Sequence, residues 1–377
     1  MAQRQFQQIN AEGGKVPETW MAGLKKQADA FACSWDKRGQ FGQFVNVETG
    51  DLCIGGSTAG AIVPGAMALA SQTFHERRYL KVAEAAARNY YKEFVRAGYT
   101  TGGPGEILSA PDSESAFGLF ESFMALHEIT GGSEWLRDAD DVLPICASWT
   151  VAYDYHFPTN SAMGRIGAHS CGAVWANVQN KHGPPAICTW SGDSLLKYYR
   201  ATGDRRALEL LADIAHGVPQ YISRTDHPIG RRPPGGMCER VNLSAWEGAR
   251  NIGGSIFGSC SWVETAALLT VAQLPGLYVR PDAGLAVAFD NVRVEELSHA
   301  GKTVKLRLTN PTKFAADVSV LVESARAARR SVGSFVAKPL PVIHLDAGAS
   351  STLEYTASSG SRNQTQKKLA TAIGQKI

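Results

Sequence analysis

The sequence predicts a mainly α fold: an α/α toroid, a barrel of helical hairpins short of a full ring, followed by a small C-terminal antiparallel β-sandwich. Three observations carry that prediction. Helices that are apolar almost all the way round alternate with helices apolar on one face, the pattern of two concentric layers. The hairpin corners resemble one another: Ile129-Thr130-Gly131-Gly132-Ser133-Glu134-Trp135-Leu136 matches Ala201-Thr202-Gly203-Asp204-Arg205-Arg206-Ala207-Leu208, and Gln72 to Leu80 is a degenerate copy. From Pro275 the apolar period drops to that of a strand.

Taken in order, residues 1–16 are polar and read as a flexible terminus. Pro17 opens a helix running to about Trp35, and residues 40–56 hold turn residues and a short hairpin. The stretch 57–72 reads as an apolar helix kinked at Pro64, and 76–97 as its one-faced partner, with Leu80, Ala83, Ala87, Tyr90 and Phe94 inward. A glycine- and proline-rich loop then leads into Asp112-Ser113-Glu114-Ser115 and the helix 112–130, enclosed by its neighbours because Phe117, Phe120, Phe123 and Met124 cover every side. A one-faced helix follows at 133–152, then helices near 186–202, 205–222 and 259–273. Glycine after a helix ends it in the left-handed conformation, and Ser133 is placed to cap the next one. About eight or nine helices fall short of a closed ring. Strand alternation at Val292/Val294, Val304/Leu306/Leu308 and Val318/Val320/Val322 marks the β region. The boundaries are therefore 17–274 for the helical domain, 275–356 for the β domain and 357–377 for a polar, disordered tail.

Composition narrows the function classes. Lys and Arg total 38 against 35 Asp and Glu, too mild a balance for a nucleic-acid binder. The 7 cysteines form no CxxC pair and read as small buried apolar residues, so neither a disulfide framework nor a zinc ribbon is expected. The nine histidines form no HExxH or HxxxH, and no metal or cofactor is expected. No apolar run is long enough to span a membrane, and the first residues lack a secretory signal; cytoplasmic is the default, with a removed leader leaving the periplasm or export open.

The residues that invite chemistry lie in loops joining the helices. Asp112 and Glu114 suit a helix N-terminus as cap and dipole partner, and also suit general acid–base work at a barrel mouth; the two roles are compatible. His169, Trp175, Asn177 and Gln179 combine a flat ring with amides, as a sugar requires. The run Arg231 to Glu247 offers Glu239 as a second carboxylate, Arg240 as a fork for a substrate carboxylate and Trp246 as a stacking ring. Glu264 is a third carboxylate candidate, on an apolar helix. Tyr153 or Tyr155 with His169 could instead abstract a proton beside a uronate. The His169-Ser170-Cys171 run has no defined base or oxyanion loop to make it a nucleophile.

Together DSES before a buried helix, ALHEITGG at its end, YDYHFP, SGDSLLKYYRATGD, CERVNLSAWEG and GSCSWVE resemble α/α-toroid carbohydrate-active enzymes over about residues 50–325. The pattern is similar to glycoside hydrolase family 154, and more distantly to unsaturated glucuronyl hydrolases. That resemblance implies a β-glucuronidase-like hydrolase with a carbohydrate as its partner. No catalytic position is carried over from it; Asp112, Glu114 and Glu239 rest on the residues themselves. The alternatives are a polysaccharide lyase acting by β-elimination and a non-catalytic carbohydrate-binding protein, since one scaffold hosts all three.

Overall fold

Local signals set the helices. The computed structural model describes residues 2–102, 108–178, 183, 193–243, 255–258, 261–330, 340–357 and 367–369. In chain order the helices are α1 (Ala2–Ala11), α2 (Glu18–Arg38), α3 (Val63–Phe74), α4 (Arg77–Glu93), α5 (Ser113–Thr130), α6 (Glu134–Ser148), the single turn α7 (Ala162–Arg165), α8 (Asp193–Thr202), α9 (Arg205–Gly217), α10 (Ser261–Gln273) and the short α11 (Ala325–Arg330). Pro17 precedes α2 as expected. Pro64 sits in the first turn of α3, where its missing N–H costs nothing, so it opens the helix and does not kink it. Gly131 and Gly203 end α5 and α8 with φ of 71° and 84°, which a side chain would strain. Ser133 stands before α6 without a side-chain cap bond, a departure from the expected cap.

The hairpins α3/α4, α5/α6 and α8/α9 pack side by side, with α3, α5 and α8 forming one layer and α2, α4 and α6 lying outside it. Among the described residues they close no barrel. Burial follows the layers: α5 buries Phe117, Phe120, Phe123 and Met124 on all sides, while α6 buries Trp135, Ala139, Val142, Leu143 and Cys146 on one. A close crossing holds α3 to α5. The Gly65 N–H donates to Ser122 Oγ at 2.9 Å, and Ser122 Oγ donates to the Ala61 carbonyl at 2.6 Å.

Residues 2–11, read from polarity as flexible, form α1 instead. Gln3 Nε2 donates to the Ala66 carbonyl at 3.0 Å, Phe6 stacks on Trp20, and Arg4 is buried against Glu128 at 3.3 Å. Polarity misled here because the buried side is made by one arginine whose counter-ion is far away in sequence.

The strands are β1 (Phe44–Val45), β2 (Leu52–Ile54), β3 (Arg240–Asn242), β4 (Ser255–Phe257), β5 (Leu277–Arg280), β6 (Leu285–Ala288), β7 (Arg293–Ala300), β8 (Thr303–Thr309), β9 (Ala316–Val322), β10 (Val342–Leu345), β11 (Ser350–Thr356) and β12 (Lys367–Leu369). β1 and β2 make the expected hairpin. Two four-stranded sheets, β10-β9-β5-β6 and β12-β11-β8-β7, feed one buried cluster that includes Leu277, Val279, Val304, Leu306, Val318, Val320, Ile343 and Leu353. One pairing departs from the antiparallel expectation: β5 runs parallel to β9, with Leu277 opposite Val320. The chain leaves β6 for the β7–β8 hairpin of the other sheet before it returns as β9, and that crossover reverses the sense. Of the tail 357–377, residues 367–369 pair with β11, and most of the rest lies outside the described residues.

Candidate functional site

The connections separate into two kinds. At one end of the hairpins the links are tight: 75–76, 131–133 and 203–204. At the other end lie the long ones, 98–112, 149–192 and 218–260, which enter α5, α8 and α10 at their N-termini. Long loops on a rigid scaffold are where function gathers.

Loop 98–112 is pinned at its base. Thr58 Oγ1 donates to the Thr101 carbonyl at 2.8 Å and accepts the Thr101 N–H at 2.7 Å, while Thr100 Oγ1 donates to the Asp112 carbonyl at 2.8 Å. Asp112, 1% exposed, caps α5: Oδ2 accepts both the Ser115 N–H and the Ser115 hydroxyl at 3.0 Å. Glu114 follows in the first turn, half-buried. The next loop joins directly. Asp112 bridges Asn177, the Ser113 N–H donates to the Ala176 carbonyl at 2.9 Å, and the Val178 N–H donates to the Pro111 carbonyl at 3.1 Å. Asn177 is itself 1% exposed.

From there a run of backbone pairs crosses the layer. Trp175 N–H donates to the Trp149 carbonyl, and Val151 N–H to the Ala173 carbonyl, each at 2.9 Å. Gly183 packs so close to Val174 that a Cβ would lie 1.7 Å from the Val174 carbonyl oxygen, and it bridges Val241 in β3. β3 pairs with β4 and begins at Arg240, whose Nε lies 3.6 Å from Glu239 Oε1. Backbone pairs thus tie the start of α5 to residues 176–178, and Gly183, packed against Val174, pairs with β3 beside Glu239 and Arg240. Trp175 is half-buried against the cluster of Val151, Met163 and Tyr221 rather than fully presented. Gln179 and Trp246 lie outside the described residues.

His169 stands at the far end of this paired stretch from Asn177. Its Nδ1 is 3.0 Å from Asp154 Oδ2, its N–H donates to Gln220 Oε1 at 2.8 Å, and its side chain is 75% exposed. The N–H of Cys171 and the His169 ring hold the Asp154 carboxyl below its ordinary range. Tyr153 and Tyr155 stack edge to face at 5.2 Å beside that pair. Asp154 as the orienting partner of His169 was not foreseen; a carboxylate fifteen positions from a histidine leaves no periodic signal. Ser170 and Cys171 make no nucleophile. Ser170 is wholly buried, donating to the Tyr153 carbonyl and accepting the Tyr155 N–H, and burial raises the Cys171 thiol.

Glu264, the third carboxylate candidate, accepts the Met237 N–H at 3.2 Å and lines a separate apolar groove of about 330 Å³ along α10. Among the described residues no group of three or more His, Cys, Asp or Glu could hold a metal ion, and no helix is long and apolar enough to cross a membrane.

The Asp112 geometry yields a test of its own. Asp112→Asn keeps one acceptor and loses the charge at the helix end, so a pure cap loses about 1 kcal/mol and leaves turnover intact. Urea unfolding beside a rate measurement separates that from a catalytic role, in which turnover falls as well.

No family model matches this chain, and no curated protein matches it. Among solved structures it is similar to a glycoside hydrolase family 76 mannosidase from Bacteroides thetaiotaomicron VPI-5482, at 11% identity and a TM-score of 0.31 over 57% of this chain and 52% of that one. It is also similar to a sugar epimerase from a ruminal bacterium, at 10% identity and a TM-score of 0.33 over 72% of this chain and 85% of that one. The chain spans about half the length of the mannosidase structure. Both scores fall short of a shared fold.

Proposed function

We propose that this chain is a glycoside hydrolase acting on uronic-acid-containing oligo- or polysaccharides, on a scaffold that is an open α/α toroid. Glu114 and Glu239 are its carboxylate pair, Asp112 holds the α5 N-terminus that presents Glu114, and Arg240 grips the substrate carboxylate. One observation carries the reading: backbone pairs join the Asp112 helix start to Asn177 and Gly183 to β3 beside Glu239 and Arg240, and Gly183 packs directly against Val174 of the stretch that pairs with Asp112. Carboxylates from two separate loops suit acid–base cleavage of a glycosidic bond. An arginine beside Glu239 suits an anionic sugar.

Turnover of an aryl β-glucuronide tests it. Glu114→Gln and Glu239→Gln each lower kcat by about 10²–10⁴-fold, with folding checked by circular dichroism. Full activity in both variants rules the hydrolase out. A second reading has one supporting observation, the Asp154–His169 pair beside Tyr153. A carboxylate that orients an imidazole prepares its other nitrogen as a base for β-elimination. An unsaturated, ultraviolet-absorbing product that disappears in His169→Gln would decide for the lyase.

A further inference from the structure

Glu239 and Gly258 meet at the open end of the β3–β4 ladder. The last pair there is Arg240 opposite Phe257, so Glu239 stands just before β3, and Gly258 just after β4 with a left-handed φ of 72°. A Cβ on Gly258 would lie 2.7 Å from both Glu239 Cβ and Glu239 Oε2, so bare backbone packs on that carboxylate. Arg232 holds Gly258 in turn. Its Nε donates to the Gly258 carbonyl at 3.0 Å, Nη2 donates to the same oxygen, and Nη1 donates to the Ile229 carbonyl at 3.3 Å. Ser223, 1% exposed, fixes the root of the arginine: its hydroxyl donates to the Arg232 carbonyl at 3.0 Å and accepts the Ile229 N–H at 3.2 Å. The guanidinium also reaches the neighbourhood of Cys238: burial pushes that thiol up to about 12, and the Arg232 charge works against it. With all three guanidinium nitrogens donating to backbone carbonyls, the fork of Arg232 is committed within the chain.

We propose that Arg232 is a positioning residue: by pinning the Gly258 carbonyl it seats the Gly258 backbone against Glu239 and so fixes where that carboxylate points. The effect on turnover rests on the hydrolase reading above; the placement of Glu239 does not. Glu239 Oε1 lies 3.6 Å from Arg240 Nε and Oε2 faces Gly258, so the carboxylate sits between an arginine and a glycine backbone. Its side chain is 31% exposed, and once the Gly258 wall gives way it is free to sample other rotamers toward solvent. Acid–base groups act only when held in register with the bond they cleave, and a displacement of about 1 Å costs about 10²-fold in rate.

The test treats the full chain with a water-soluble carbodiimide and glycine ethyl ester and follows amidation of Glu239 by peptide mass spectrometry, beside turnover of an aryl β-glucuronide. Arg232→Met is expected to speed amidation of Glu239 severalfold while Glu18, 91% exposed on α2, keeps its rate. The same variant lowers kcat by about 10–100-fold with KM little changed. Arg232→Lys recovers part of both effects, because one ammonium can still reach the Gly258 carbonyl although not Ile229 as well. Amidation of Glu239 at the wild-type rate in Arg232→Met overturns the proposal, whatever the activity. A raised KM at unchanged kcat also overturns it, since Arg232 would then be a substrate contact. So does faster amidation of Glu18 along with Glu239, the mark of a loosened fold. Faster amidation of Glu239 alone, with Glu239→Gln as active as wild type, upholds the placement and removes the hydrolase reading, so the two failures are told apart.

Discussion

Lys197→Met destabilises the protein by about 3–5 kcal/mol, a drop of roughly 4–6 °C in the unfolding midpoint. Lys197 is 2% exposed, on α8, with Nζ 2.9 Å from Glu128 Oε2 and 3.1 Å from Asp193 Oδ2. Arg4 reaches the same Glu128 oxygen at 3.3 Å from α1. Glu121, 8% exposed, faces this group, and its Oε2 has no hydrogen-bond partner. Methionine fills the volume of lysine but removes the cation that faces Glu128, Asp193 and Glu121. Burial pushes the Glu128 carboxyl up, yet Lys197 and Arg4 more than offset that and hold it at about 2. A carboxyl depressed by folding stabilises above its ordinary pKa, so this contribution is complete above about pH 5 and is lost as pH falls toward 2. Glu121 has the opposite sign. Burial first, then Asp193, raises its carboxyl, so it costs stability as pH rises above the ordinary carboxylate range. Glu121→Gln therefore stabilises at pH 7 and changes little near pH 3. Thermal melts of the two variants across that range check both signs, and a Lys197→Met melt equal to wild type would show the cluster to be neutral.

Arg200→Met costs a similar amount, about 3–5 kcal/mol, by a different route. Arg200, 3% exposed on α8, forks onto Glu323 just beyond β9: Nε to Oε1 at 2.7 Å and Nη2 to Oε2 at 2.9 Å. Tyr278 of β5 donates its hydroxyl to Glu323 Oε1 at 2.9 Å, and burial first, with Glu323 next, raises that phenol. One carboxylate thus ties the helical layers to the sheets. Removing the arginine strands the charge in a dry contact, and the helical and β regions then melt in two steps where the wild type melts in one. Arg200→Lys rescues less than half of the loss, because a point charge cannot make both prongs. Calorimetry of the three proteins distinguishes the cases; a single unshifted transition in Arg200→Met would mean the regions are held together elsewhere.

The α5 start was legible because every signal for it lies within a few residues: Asp112 as cap, Glu114 in the first turn, apolar residues on all sides afterwards. The same holds for Gly131 and Gly203 and for the alternation of β8 and β9. Asp112 and Glu114 were equally legible as residues of interest, but their neighbours were not, since nothing local says that Pro111 and Val178 would share a hydrogen bond. Pro64 shows the limit from the other side: its effect depends on where the helix begins, and Val63 starts α3 later than apolarity implied.

Caps, glycine corners and apolar spacing act over one or two turns, so the order of the chain alone determined the helices, the hairpins and the switch to strands. Tertiary structure decided what those elements meet. It buried Arg4 in a helix that polarity marked as loose, set Glu323 against an arginine 123 positions away and turned His169 toward Asp154. Charge pairing and burial depend on distance in space, and segments far apart in the chain come within reach only once the core has packed.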